Sequence, residues 1–286
     1  MSQPVPTVLS IAGSDPSGGA GIQGDLKTFA ALRVHGCAVV TAITAQNTRG
    51  VRDVWPVPAD VVVQQLTTLL DDVQVHAVKI GMLGDASIVR AVAGVLRHFP
   101  DVPIVLDPVL RASAGGTLLA PSAVAVFLDE LVPLATLVTP NAAEAGVLTG
   151  EPAPTSPEDA GRVAQLLVAR GAVAALVTGG HLDGRTTSVD VLATAQTLET
   201  FSVARIAGEG AHGSGCALSA AIAALVARGY GLSAACAEAQ QFVARAIHAG
   251  QHLGIGHGVQ PVHPLGALWA AALPLIDHPS TLPHHD

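Results

Sequence analysis

Short, mainly apolar runs alternate along the chain with longer stretches in which apolar residues recur every three or four positions. The short runs occupy 8–12, 38–44, 77–82, 104–106, 136–139 and 174–178 and are rich in Val, Ile and Leu. The stretches between them, 25–32, 59–70, 86–99, 122–131 and 157–170, have helical spacing. A strand without alternation needs both of its faces covered, so this order predicts a parallel sheet with helices on either side. Several runs end in polar or glycine-rich residues: Gly13-Ser14-Asp15, Gln46-Asn47-Thr48, Gly81-Met82, Asp107-Pro108, Pro140-Asn141 and Gly179-Gly180-His181. In open α/β sheets ligands sit beyond the carboxyl ends of the strands, so these endings would line one crevice.

Past Gly180 the pattern changes. Residues 189–192 and 197–203 are shorter and alternate, as antiparallel edge strands do. An Ala/Leu-rich helix follows from Gly213 to about Arg228, and a second from Ser233 to about His248. No Ser/Gly linker, charge run or internal repeat divides the chain, which reads as one α/β domain over 1–286 with a frayed Pro- and His-rich tail at 277–286.

Composition narrows the function. Half of the residues are hydrophobic, which excludes a largely disordered chain. No apolar stretch approaches the roughly 18 residues of a membrane span, and Met-Ser-Gln-Pro-Val-Pro lacks the basic-then-apolar order of a secretory signal. Cys37, Cys216 and Cys236 are odd in number and unevenly spaced, fitting neither a disulfide framework nor a zinc pattern. A cytoplasmic location is expected. The formal charge of −8 and an aromatic content of 3% oppose a nucleic-acid partner. Lys27 and Lys79 are the chain's two lysines, so any phosphate chemistry must rest on backbone N–H groups, helix N-termini, a metal ion and at most an arginine.

Gly19, Gly21 and Gly24 spell G-x-G-x-x-G between the first apolar run and the first helix. A dinucleotide turn would want an acidic residue about 20 positions on. No Asp or Glu lies between Leu26 and Arg52, and Asp15 and Asp25 would repel a pyrophosphate. Two readings stay open: glycines that merely turn the chain, or a loop that brings backbone close to a small polar ligand, with Asp25 at the helix start accepting a hydrogen bond.

A second loop, His212-Gly213-Ser214-Gly215-Cys216, opens the Ala/Leu helix. Unpaired N–H groups at the positive end of its dipole make an anion site suited to phosphoryl transfer. The same dipole would favour a Cys216 thiolate able to take a proton from a substrate hydroxyl. The alternatives are a small cysteine buried at a helix start and a Cys–His hydrolase pairing Cys216 with His212, for which no third residue to orient the histidine is evident. The absence of G-x-x-x-x-G-K-[ST] excludes a P-loop kinase.

Taken together, I-A-G-S-D-P-S-G-G-A-G-I-Q-G-D-L-K-T at 11–28, T-A-Q-N-T-R-G-V at 44–51, K-I-G-M-L at 79–83, V-L-D-P-V at 105–109, T-P-N-A-A-E-A at 139–145, G-G-H at 179–181 and H-G-S-G-C-A-L-S-A-A at 212–221 carry a resemblance. The chain resembles the hydroxymethylpyrimidine/phosphomethylpyrimidine kinases of thiamine biosynthesis, within the ribokinase-like superfamily. The resemblance implies a three-layer α/β/α fold with a mostly parallel central sheet and a small edge β element. It implies transfer from ATP, with Mg²⁺, to 4-amino-5-hydroxymethyl-2-methylpyrimidine and to its monophosphate, in a protein that is a homodimer as superfamily members often are. Gly13, Asp25, Gln46 and Met82 would meet the pyrimidine, with Gln46 reading the ring edge. Asp107 and Glu144 would serve the metal, and Asn141, Thr178 and Gly180 the ATP phosphates. Gly213, Ser214 and Gly215 would form the anion hole, with Cys216 at the catalytic position. The chain departs from the family where a lysine usually precedes Gly-Gly-His, here Thr178, and where a basic residue is common before the second loop, here Glu209; Arg185 or Arg111 would substitute. Two other functions fit the same residues: a pyridoxal or pyridoxine kinase, and a catalytically weakened pyrimidine-binding protein.

Overall fold

A computed structural model of the chain describes residues 5–110, 118–180, 186–206 and 211–271. Six strands run parallel: β1 (Thr7–Ser14), β2 (His35–Asn47), β4 (Ala77–Ile80), β5 (Ile104–Leu106), β6 (Leu137–Val138) and β7 (Ala174–Val177). β3 (Gly50–Pro56) pairs antiparallel with β2 at one edge, and β8 (Thr187–Thr194) and β9 (Leu198–Ala204) extend the other edge antiparallel. The sheet order is β3-β2-β1-β4-β5-β6-β7-β8-β9.

Two separate apolar clusters, one on each face, make the layers. β1 divides its residues between them: Leu9 and Ile11 join one cluster and Val8 the other, as the two-residue period of a strand requires. The first cluster is closed by α2 (Ala59–Asp72), α3 (Ala86–Leu96), α4 (Val124–Glu130), α5 (Ala142–Thr149) and α6 (Pro157–Ala169), through Leu66, Val92, Phe127, Leu148 and Leu167. The second is closed by α1 (Gly21–Ala31), α7 (Ser214–Ala227) and α8 (Leu232–Gly250), through Phe29, Ile222 and Val243. Every residue of α7 from Ala217 to Leu225 is buried. That suits a helix that is apolar all round and wedged between the sheet, α1 and α8. α9 (Gly266–Ala271) ends the described chain.

The α/β/α order and the antiparallel edge follow the sequence pattern, with three differences. β3 has no apolar run because it is an exposed edge strand carrying Arg52 and Asp53. α5 has little apolar periodicity; a capping box between Asn141 and Glu144 starts it instead. α1 begins at Gly21, so Asp25 lies in its second turn and not at its start. His181, Arg111, Arg185, Glu209 and the tail at 277–286 lie outside the described residues.

Candidate active site

The two glycine loops meet at the carboxyl edge of the sheet. Gly213 has a φ of 83°, and a side chain there would run into the carbonyl of Gly19; a side chain on Gly19 would run into the ring of His212. The glycines of the first loop therefore seat it against the second, and no dinucleotide is needed to explain them. Asp15 ties the contact. It is 2% exposed and accepts hydrogen bonds from Ser17 N–H at 2.9 Å, Ala20 N–H at 2.8 Å and His212 Nε2 at 2.9 Å. Burial alone would raise the Asp15 carboxyl, but the bonds from His212, Ser17 and Ala20 outweigh it and hold the pKa below the ordinary value. Gln46 Nε2 lies 3.3 Å from the same His212 nitrogen. With Nε2 donating to the Asp15 carboxylate, the histidine has an orienting partner that the sequence did not reveal, and it is turned toward the first loop.

Gly13, Met82 and Gln46 come together around β1 and β2. A side chain on Gly13 would press on Met82 Sδ at 3.1 Å, and Thr41 Oγ1 fixes Met82 by donating to its carbonyl at 2.6 Å. Thr44 Oγ1 bonds both the Ser14 carbonyl at 2.8 Å and Gln46 Oε1 at 3.2 Å, tying Gln46 to the strand that carries Gly13. Asp25 does not join this group. It is 0% exposed, accepts from Ser10 Oγ at 2.6 Å and lies 3.0 Å from Lys79 Nζ. The expectation that it flanks the ligand is corrected: its oxygens are spent beneath the crevice.

Lys79, to which sequence reasoning gave no role, is the centre of that buried layer. It is also 0% exposed, and its Nζ is 4.0 Å from Asp107, the residue after β5. Burial opposes its charge, but the carboxylates of Asp25 and Asp107 outweigh it, so its pKa lies above the ordinary lysine value. A lysine set in the apolar run Ala77-Val78-Lys79-Ile80 was the available signal, because a charge there has to be paired. Asp107 also accepts from Ser219 Oγ of α7 at 2.9 Å and interacts with the Cys216 thiol.

α7 begins at Ser214 with Gly213 as its cap residue and without a side-chain cap, and Gly215 is exposed with open space where a side chain would be. First-turn N–H groups are thus left for an outside acceptor, at the end of the helix where its dipole favours negative charge. Cys216 departs from expectation. Burial pushes its thiol up to about 12; Lys79 and the Gly21 N–H act the other way, while Asp107 and Asp25 add to the rise. Burial of the sulfur thus favours the thiol over the thiolate.

On the β5–β7 side, Asn141 and Glu144 cap α5 reciprocally: Asn141 Oδ1 accepts from Glu144 N–H at 3.0 Å and Glu144 Oε2 from Asn141 N–H at 2.9 Å. Burial, with the charge of Asp107 nearby, lifts Glu144 to about 8. Two such carboxylates disfavour each other's charge, and a cation between them would reverse this. Mg²⁺ is commonly held by one or two carboxylates with phosphate and water completing its shell, so this donor set fits it. Thr178 bridges to Asn141, and Gly180 follows it, exposed. The carbonyl of Gly180 accepts from Arg205 Nη1 at 2.7 Å.

The family model described as phosphomethylpyrimidine kinase matches residues 15–263. The chain belongs to the phosphomethylpyrimidine kinase family. Like the rest of that family it is a kinase, and its fold is ribokinase-like. A hydroxymethylpyrimidine/phosphomethylpyrimidine kinase of Rhizobium meliloti is 47% identical over 261 residues, 91% of this chain and 97% of its own length. The pyridoxal kinase of Bacillus subtilis, solved as an ADP complex, matches with a TM-score of 0.85 at 33% identity, over 93% of this chain and 99% of that one. A phosphomethylpyrimidine kinase of Clostridium difficile matches with a TM-score of 0.75 at 36% identity, over 85% and 99%. No helix among the described residues is long and apolar enough to cross a membrane.

Proposed function

We propose that this kinase transfers the γ-phosphoryl group of ATP to the hydroxymethyl group of 4-amino-5-hydroxymethyl-2-methylpyrimidine, and then to the resulting monophosphate. The observation that carries the reading is the start of α7 without a side-chain cap, pressed against the first glycine loop and next to Asp107. The pyrimidine lies over Gly13, Met82 and Gln46, whose carboxamide offers both a donor and an acceptor to an aminopyrimidine. The nucleotide lies along Asn141, Thr178 and Gly180. Asp107 and Glu144 are the residues that would hold Mg²⁺, which neutralises phosphate charge when bound.

Phosphoryl transfer passes through a loose transition state with charge spread over the equatorial oxygens, so positioning and electrostatics supply most of the catalysis. The amides of Ser214, Gly215 and Cys216 are fixed donors for that charge and need no reorganisation during the reaction. Cys216 stands beside the reacting hydroxyl. As a thiol it is a poor base, so removal of the hydroxyl proton comes late and the amides contribute more to the rate than the sulfur does.

The pyridoxal kinase match supports a second substrate class for the same pocket, flat rings bearing a hydroxymethyl group. ADP release measured with the pyrimidine, its monophosphate, pyridoxal and pyridoxine tests both readings. The expected result is turnover of the pyrimidine and its monophosphate with the higher kcat/KM. Turnover of pyridoxal alone would replace the proposal with a vitamin B6 kinase, and binding without turnover would replace it with a weakened enzyme. A single-domain homodimer of the cytoplasm completes the proposal. Its dimer face is supported by Ile43 and Trp55, 56% and 54% exposed and paired across β2 and β3, and its compartment by three free cysteines.

A further inference from the structure

Asp190 is a charged residue in the otherwise apolar stretch Val189-Asp190-Val191-Leu192-Ala193 of β8, and it is 5% exposed. By the two-residue period of a strand it shares the face of Leu192, the side of the sheet covered by α7 and α8. Its carboxyl oxygens accept from Gly179 N–H at 2.8 Å and from Gln240 Nε2 of α8 at 2.9 Å. The same Gln240 nitrogen donates to the Phe201 carbonyl of β9 at 3.2 Å. Among the described residues both hydrogen-bond partners of Asp190 are neutral amides, and both are donors, which matches the ionised carboxyl. Burying a carboxylate without a cation beside it is costly, so core stability does not account for an aspartate at this position.

What Asp190 holds is the turn after β7. Thr178 N–H donates to the Pro140 carbonyl at 2.9 Å and Gly179 N–H to Asp190, so two successive amides are spent inside the fold. A side chain at 179 would run into the Val189 carbonyl, which shows how closely the turn lies on β8. One at 180 would meet only open space, and Gly180 is exposed. Thr178 bridges to Asn141, the cap of α5, so the turn also adjoins a helix N-terminus. A hydrogen bond to an ionised acceptor is roughly twice as strong as a neutral one, so a carboxylate fixes the peptide plane between 178 and 179 more firmly than a carboxamide would. We infer that Asp190 is a positioning residue for nucleotide binding: it holds the Thr178–Gly180 turn from beneath in the shape that receives the phosphoryl donor, and ties that shape to α8 through Gln240. This rests on the reading that the nucleotide lies along that turn.

The test is calorimetric binding of AMP-PCP and of the pyrimidine to wild type and to Asp190→Ala, with ATP kinetics and thermal melts alongside. Freeing the turn should weaken AMP-PCP about tenfold or more and raise the KM for ATP by a similar factor. Pyrimidine affinity should stay within about twofold and kcat at saturating ATP within about threefold, the split expected when only nucleotide binding is lost. Asp190→Asn keeps an acceptor for Gly179 and should recover AMP-PCP affinity to within about threefold of wild type. If Asp190→Ala does not fold, Asp190→Ser takes its place with the same expectation, since it offers a single oxygen to two donors. Unchanged AMP-PCP affinity, equal weakening of both ligands, or no recovery with asparagine overturns the inference. Gly180→Asp separates the two layers of the argument, because it places a carboxylate at the open tip of the turn. If Gly180→Asp leaves AMP-PCP binding intact, the turn is not the nucleotide site and both readings fall. If it abolishes binding while Asp190→Ala does not weaken it, only the role of Asp190 falls.

Discussion

Replacing Lys79 by Met removes the cation paired with the buried Asp25. Both side chains are 0% exposed and lie 3.0 Å apart, so water cannot take over the ammonium's role without opening the core. Removing one partner of a buried ion pair typically costs about 3–5 kcal/mol, because the other charge is left uncompensated. Ser10 still donates to Asp25 at 2.6 Å, which places the expected loss toward the lower end of that range. Unfolding entropy of about 2.1 cal/mol/K per residue gives about 0.6 kcal/mol/K for the whole chain, so Tm should fall by about 5–8 °C. The loss should depend on pH. Burial already holds the Asp25 carboxyl above its unfolded value, and without Lys79 it rises further, so the folded variant binds protons over a wider interval and loses more stability than wild type as pH rises through it. Differential scanning calorimetry at pH 5 and pH 8 should therefore show a larger Tm deficit at pH 8. The double variant Lys79→Met/Asp25→Asn should recover at least half of the loss, since no unpaired charge remains. A Tm within about 2 °C of wild type at both pH values, below the fall worked above, would refute the assignment of Lys79 as the counter-ion of Asp25.

Gly213→Ala should both destabilise the fold and lower kcat, because the residue has a φ of 83° and its new methyl meets the Gly19 carbonyl. A loss of about 1–3 kcal/mol in a melt is expected, and an unaltered kcat would mean that the junction of the loops is irrelevant to transfer. Cys216→Ala should leave the pyrimidine Kd unchanged by calorimetry and lower kcat, yet by less than Gly213→Ala does; a greater loss than Gly213→Ala would return the leading role to the sulfur. Asp15 is held below its ordinary pKa, so its contribution to stability is complete above the unfolded value and is lost as pH falls through the folded one. Asp15→Asn should lower Tm at pH 7 and reduce the dependence of Tm on pH at the acid end; an unchanged acid limb would show that the bond to His212 does not stabilise the junction.

The parts of this molecule that could be read from sequence are those where one physical demand acts alone. β1, β4, β5 and β7 announce themselves because both faces are buried, and α7 because an uncapped glycine start precedes an unbroken apolar helix. β3 and α5 were silent for opposite reasons: an edge strand keeps its charges, and a short helix of small residues has no stripe to read. The motif Asn141-Ala142-Ala143-Glu144 was in view, and its capping box would have located α5. The raised pKa of Cys216 could not be read from the local dipole, because it comes first from burial and then from Asp107 and Asp25, all of which act only in the folded protein. The same distance hid the pairing of Lys79 with Asp25, 54 positions before it, and of Arg205 with a carbonyl 25 positions before it.

The claim on which the mechanism depends is that the first-turn amides of α7 hold the phosphoryl group in transfer. A crystal structure with AMP-PCP, Mg²⁺ and the pyrimidine tests it most directly. The account predicts the terminal phosphate within about 3 Å of the N–H groups of Gly215 and Cys216, with the pyrimidine hydroxymethyl opposite. Phosphates lodged on the Gly18–Gly24 loop, with the start of α7 unoccupied, would contradict it.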